Sequence, residues 1–125
     1  MSFSNNGYTP KQGDIVYIDF DPSTGREIQK RRPALVISSS IFNDRSGFVA
    51  VCPITSRIRS GTSFVTLSEH KIKGQIVVAQ FRTFDFVSRD IQFVERCSPV
   101  EFAKVIMIMN AILGFDTVFD NRTKL

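Results

Sequence analysis

The chain has no tryptophan, one histidine, two cysteines and five prolines among 125 residues, and these shortages close off several kinds of chemistry. With His70 alone, neither a two-histidine acid/base scheme nor a histidine-rich metal site can be assembled within one chain. Its setting, "SEHKIKG", reads as a hairpin tip, where a solvated turn residue is expected. Cys52 and Cys97 lie in apolar stretches without CxxC or other metal-type spacing, so inert thiols of a reducing compartment are expected. Asp19 and Asp21 in "DFDPSTG" fit turn chemistry better than a cation site. There is no glycine-rich phosphate loop and no dinucleotide fingerprint. Neither a metal nor a cofactor is therefore expected. No apolar run reaches ~18 residues, so no membrane span is expected. The polar start "MSFSNNGYTPKQG" lacks the basic-then-apolar build of a secretory leader, and a cytoplasmic location is expected.

What the chain does have is a moderate basic excess and many phenylalanines. Sixteen Lys and Arg stand against twelve Asp and Glu, a net charge of +4, and there are twelve Phe. The charge suits a polyanion partner without demanding one, and the phenylalanines suit one tightly filled core in a single domain. "DIVYIDF", "PALVISSS", "GFVAVCPIT", "SFVTL", "GQIVVAQFRTF" and "DIQFVERC" read as six short strands joined by turn signals, as in an antiparallel sheet or small barrel. Ser98-Pro99-Val100-Glu101 is a capping box with proline at the first helical position. Phe102, Val105, Ile106, Met109, Ile112 and Leu113 then recur at helical spacing, and Gly114 supplies the stop. This helix is apolar nearly all round, which suits a subunit interface. Residues 1–12 are expected to be a flexible lead-in, 13–114 the folded domain and 115–125 a tail.

The connection from Asp21 to Arg32 is longer than most strand connections and gathers Arg26, Glu27, Lys30, Arg31 and Arg32 at the edge of an apolar strand. Arg32 precedes Pro33, so its backbone is held extended. Thr55 and Ser56 end "VCPITS". If the second and third strands are neighbours, an anchored guanidinium and a hydroxyl converge on one mouth of the sheet, a device suited to gripping a phosphodiester. Spacing alone leaves the plainer alternative open, in which Arg32 pairs with Glu27 and Thr55 caps its strand. Arg57 and Arg59 either follow a polyanion's backbone or lie on a solvated loop. Phe81 and Phe84 either stack on bases or fill the core.

The combination of "GDIVYIDFDPSTGREIQKRRPALVIS", "VCPITS" and "AQFRTFD" resembles the MazF/PemK-type toxins of bacterial toxin–antitoxin pairs, over roughly Gly13 to Gly114. The resemblance implies a small SH3-like β-barrel with a C-terminal helix, a fold also used by gyrase-poisoning toxins, working as a homodimer. It implies a metal-independent, ribosome-independent endoribonuclease that cuts single-stranded mRNA at short sequences and leaves 5′-hydroxyl and 2′,3′-cyclic-phosphate (or 3′-phosphate) ends. An acidic MazE-like antitoxin would hold it inactive. Carried over by motif, the catalytic residues fall on Arg32 and Thr55, with Glu27 as the loop acid, either the base of the reaction or an ion-pair partner that orders the loop. Gln80, Arg82 and Thr83 would line the RNA groove, with Arg26, Lys30, Arg31, Ser56 and Arg57 supplying further contacts. Ala79 stands where several relatives carry an acid, so no role for that acid transfers. The same motifs leave two other readings: a gyrase poison that cuts nothing, and a non-catalytic single-strand binding module.

Overall fold

The computed structural model describes residues 2–20 and 31–118. Seven strands are arranged in one antiparallel sheet: β1 (Asp14–Asp19), β2 (Arg31–Val36), β3 (Phe48–Thr55), β4 (Phe64–Thr66), β5 (Gln75–Val77), β6 (Arg82–Asp85) and β7 (Ile91–Arg96). The spatial order is β4-β5-β3-β2-β1-β7, with β6 also on β3. Three helices accompany them: α1 (Ser40–Ser46), α2 (Pro99–Leu113) and α3 (Phe115–Val118).

Strands β1, β2 and β3 bury residues on both faces. Ile15, Leu35, Cys52 and Ile54 pack on one face with Val65, Leu67, Ile76 and Val105. Val16, Ile18, Ala34, Val36, Val49 and Val51 pack on the other with Phe84 and Phe86. The expected small barrel is an open sheet, because no ladder among the described residues joins β4 to β7. Leu67 and Ile72 share a cluster with Val94 and with Val105 of α2, so side chains and a helix fill the gap that a closing ladder would occupy.

The run expected as one strand over 74–84 is divided. Its two halves, β5 and β6, lie on the same edge of β3, at Ile54↔Ile76 and Val51↔Arg82. Three steps along β3 correspond to six along the other chain, and the surplus is the three-residue 3₁₀ turn Val78–Gln80. Such an insertion re-aims side chains without losing the pairing on either side. Helix α1 falls where the sequence suggested only strand end and turn. Ser39 caps it by accepting from the Phe42 N–H (3.2 Å), and Gly47 ends it in the left-handed region at φ 78°.

Residues 2–12, expected to fray, make specific contacts. The Phe3 N–H donates to the Asp44 carbonyl (2.8 Å), and the Asn5 amide donates to the carbonyls of Phe86 (2.9 Å) and Arg89 (2.5 Å). Part of the expected tail, 115–118, is the single-turn helix α3, where the Thr117 hydroxyl donates to the Gly114 carbonyl at 2.8 Å; 119–125 lie outside the described residues. No helix among the described residues is long and apolar enough to cross a membrane.

The capping box is present, but Glu101 does more than cap. Besides the Ser98 N–H it accepts from the Ser68 N–H (3.2 Å) and meets His70 Nε2 at 2.6 Å. Glu95 of β7 accepts from the Lys71 and Ile72 N–H groups at 3.0 and 2.8 Å and lies 3.5 Å from His70 Nδ1. His70 is thus not a solvated turn residue: its side chain is only 10% exposed, because the 68–72 turn folds back onto β7 and α2. Burial alone would lower its pKa, but hydrogen bonding and charge from Glu101, then Glu95, outweigh this and raise it above 6.5. For Glu95 and Glu101 burial works upward, yet the backbone donors and His70 hold both below 4.5. Cys97, 3.8 Å from Glu101, has its thiol pushed up to about 12 by burial and that charge.

These directions set a stability profile. The histidine contribution is full below about pH 6.5 and is lost as pH rises through its raised folded value. The carboxylate contribution is full above about pH 4.5 and is lost as pH falls through their lowered values. Thermal unfolding from pH 4 to 9 is expected to peak between these limits, with the alkaline decline flattened in His70→Gln. An unchanged alkaline decline in that variant would contradict the cluster's role.

Candidate nucleic-acid interface

Register places the two principal candidates together. Strands β2 and β3 pair at Ala34↔Pro53, Leu35↔Cys52 and Val36↔Val51. Each step back along β2 is a step forward along β3, so two further steps bring Arg32 abreast of Thr55. Alternation puts Arg32 on the side of Ala34 and Val36, and Thr55 on the side of Val49 and Val51. Both therefore face the side of the second core cluster. Pro33, paired with Tyr17, holds the backbone of Arg32 extended against β1.

The chemistry at this edge is open. Arg32 is exposed, and its guanidinium has no hydrogen-bond or ion-pair partner among the described residues. Thr55 Oγ1 accepts from the Arg57 N–H at 3.1 Å. A hydroxyl has one proton and two lone pairs; spending a lone pair on Arg57 leaves the proton available to an incoming oxygen. The capping role and the ligand-gripping role are compatible.

Deeper on the same face lies an aromatic and cationic floor. Phe84 is stacked by Arg82 at 4.7 Å and by Arg89 at 4.3 Å, and Phe20 meets it edge-on with ring centres 4.9 Å apart. Arg89 Nη1 donates to the Asp19 carbonyl at 2.8 Å, which ties the turn before β7 to the end of β1. Arg89 is the residue that sequence reading missed. Its signal was weak, since "SRD" reads as an ordinary turn, and only the fold brings it under Phe84. The Arg89 Nε atom is buried without a partner.

Other candidates disperse. Arg31, one residue from Arg32, turns to the opposite face: it lies 5.3 Å from the Tyr17 ring centre, hydrogen-bonds Gln92 and sits 3.5 Å from Asp90. Thr83 pairs with Ala50 while Arg82 pairs with Val51, so those neighbours also face opposite sides. Gln80 is exposed on the 3₁₀ turn, and Ser56 and Arg57 are exposed just past Thr55. Phe84 is 3% exposed and Phe81 packs on the first cluster, so both serve the core. Arg26, Glu27 and Lys30 lie outside the described residues. Among the described residues, no group of three or more His, Cys, Asp or Glu is placed to hold a metal ion.

Comparison with known proteins places the chain in a family. The family of PemK-like, MazF-like toxins of type II toxin–antitoxin systems matches residues 11–113. The chain belongs to this family. It is 27% identical over 107 residues to the endoribonuclease toxin MazF of Escherichia coli K12, covering 86% of this chain and 96% of that relative. It is 36% identical over 85 residues to the endoribonuclease toxin ChpB of the same strain, covering 63% of this chain and 72% of that protein. The crystal structure of MazF from Deinococcus radiodurans superposes with a TM-score of 0.77 at 31% identity, over 86% of this chain and 99% of that one. A MazE–MazF crystal structure from the same organism gives 0.76 at 30% identity, over 86% and 97%. The family's fold is thus retained.

Thr55 is also held from behind. A side chain at Gly74 would place its Cβ 2.1 Å from the Thr55 carbonyl oxygen, and Gly74 has φ +137°. Gly74→Ala is therefore expected to cost more than ~2 kcal/mol from strain and overlap, measured by urea unfolding. Wild-type stability in that variant would contradict the close approach.

Proposed function

We propose that this toxin is an endoribonuclease that cuts single-stranded RNA without a metal, by attack of the substrate's own 2′-hydroxyl on the adjacent phosphate. The O–P bond to the 5′-oxygen of the next nucleotide breaks, leaving a cyclic phosphate and a 5′-hydroxyl. The observation that carries this reading is the placement, on one face of the sheet, of a guanidinium with no partner among the described residues and a hydroxyl with an available proton. The relatives MazF, ChpB and PemK are endoribonucleases by name, which supports the nuclease part of this reading.

Arg32 stabilises the additional negative charge on the phosphorus oxygens, and Thr55 donates to a non-bridging oxygen. A guanidinium with pKa above ~12 is a poor base at neutral pH, so its part is electrostatic. Glu27 is assigned to ordering the loop by ion pairing. Ser56, Arg57, Gln80 and Arg82 line the path of the RNA, with Arg26 and Lys30 adding charge from the loop. Arg31 and Thr83 face away from Arg32 and are secondary contacts at most.

The partners follow from the same surface. A basic face that receives RNA also suits an acidic, extended antitoxin segment; the D. radiodurans relative was crystallised with MazE. A second copy of the chain fits the outer side of α2 and α3, where Val100, Ile106, Met107, Leu113, Phe115 and Val118 are 66, 45, 70, 41, 59 and 40% exposed. Exposed apolar surface on this scale marks an interface.

Arg32→Ala is expected to lower kcat ~10²–10³-fold on an RNA oligonucleotide, with Thr55→Val also lowering kcat. Wild-type cleavage by Arg32→Ala would refute the scheme. Met107→Glu is expected to shift the protein from dimer to monomer in sedimentation; an unchanged dimer would place the interface elsewhere.

A further inference from the structure

Gln75 is a polar side chain in a strand otherwise made of core residues, and it is 4% exposed. It pairs with Thr55 on one side and Thr66 on the other, so it faces the same side as Thr55. Its amide is engaged at both ends by one residue of the next loop. Oε1 accepts from the Arg59 N–H at 2.9 Å, and Nε2 donates to the Arg59 carbonyl at 2.9 Å. A third, longer contact runs from Nε2 to Thr66 Oγ1 at 3.4 Å. The amide thus imitates a strand partner for a segment that has none.

Ser56, Arg57, Ile58 and Arg59 are all exposed. Left to solvent, so polar an arm would sample many conformations, at roughly 1–2 kcal/mol of backbone entropy per residue to order it later. Two pins remove that freedom: Thr55 Oγ1 on the Arg57 N–H and the Gln75 amide on both backbone groups of Arg59. Between the pins Ile58 stands 63% exposed. The guanidinium groups of Arg57 and Arg59 have no partner among the described residues.

We propose that Gln75 is a positioning residue that holds 56–59 as a preformed cationic wall of the RNA groove. The inference rests on the endoribonuclease reading, and it assigns Arg59 a phosphate contact beside Arg57. The RNA then meets a wall already in place, and substrate binding is the step that gains. Gln75 itself touches no substrate.

The test replaces Gln75 by Met, which keeps its bulk and removes both hydrogen bonds, with Gln75→Val as a second strand-compatible variant should Met fail to fold. In the protein alone, amide exchange at Arg59 is expected to accelerate ~10-fold, in line with two lost hydrogen bonds. On an RNA oligonucleotide, KM is expected to rise ~3–10-fold with kcat changed much less, and the salt dependence of binding to flatten by about one to two ions. Unchanged Arg59 exchange would overturn the pin. Faster exchange with wild-type KM and salt dependence would overturn the positioning role. Wild-type protein that cuts no RNA would overturn the nuclease reading instead, and the exchange rate would still decide whether Gln75 pins the arm.

Discussion

A slip of one residue between β2 and β3 would turn Arg32 to the opposite side of the sheet and separate it from Thr55. That register is what the rest of the site depends on. It is enforced by burial on both faces, since Leu35 belongs to one core cluster and Ala34 and Val36 to the other, all fully buried. Any slip would exchange the two sets at once. The stabilising core and the placement of the guanidinium are therefore one constraint, and the sheet presents Arg32 and Thr55 from strand ends.

Around that pair the structure divides its cations into two kinds. Arg82 and Arg89 are spread over Phe84, and Arg89 also ties β1 to the turn before β7. Arg31 is engaged by Asp90, Gln92 and Tyr17. These arginines build and brace the floor. Arg32, Arg57 and Arg59 carry charge with no partner among the described residues, and they stand at the rim. A moderate net charge can thus act as a directed one, because the braced cations are held in fixed places by their contacts and the rim cations have no partner among the described residues. An acidic peptide and an RNA backbone would compete for the same rim.

Much of this was legible in the sequence wherever local signals agreed with tertiary context. Strands β1, β2 and β3, the capping box at Ser98–Glu101 and the stop at Gly114 appear as read. Arg32 and Thr55 were legible because Pro33 and the end of "VCPITS" fix strand boundaries, leaving only the register to be supplied by the fold. The remainder depends on contacts between residues distant in the chain. His70 lies in a polar string that reads as solvent-facing, and only the return of 68–72 onto Glu95 and Glu101 buries it. The split of 74–84 follows from two partners sharing one edge of β3. The anchoring of the N-terminus depends on Asn5 reaching carbonyls more than eighty residues away. Gln75 carries no local signal within "GQIVVAQFRTF"; its hold on Arg59 depends on the fold bringing the two together.

The central claim is that the nucleophile belongs to the RNA and the protein supplies charge and position. The most direct measurement uses an RNA oligonucleotide cut at a mapped site, in EDTA, beside the same oligonucleotide with a single 2′-deoxy substitution at the nucleotide 5′ to that site. The account predicts a 5′-hydroxyl fragment and a cyclic phosphate from the first and no cleavage of the second. Cleavage of the deoxy-substituted strand at the same phosphate would contradict it.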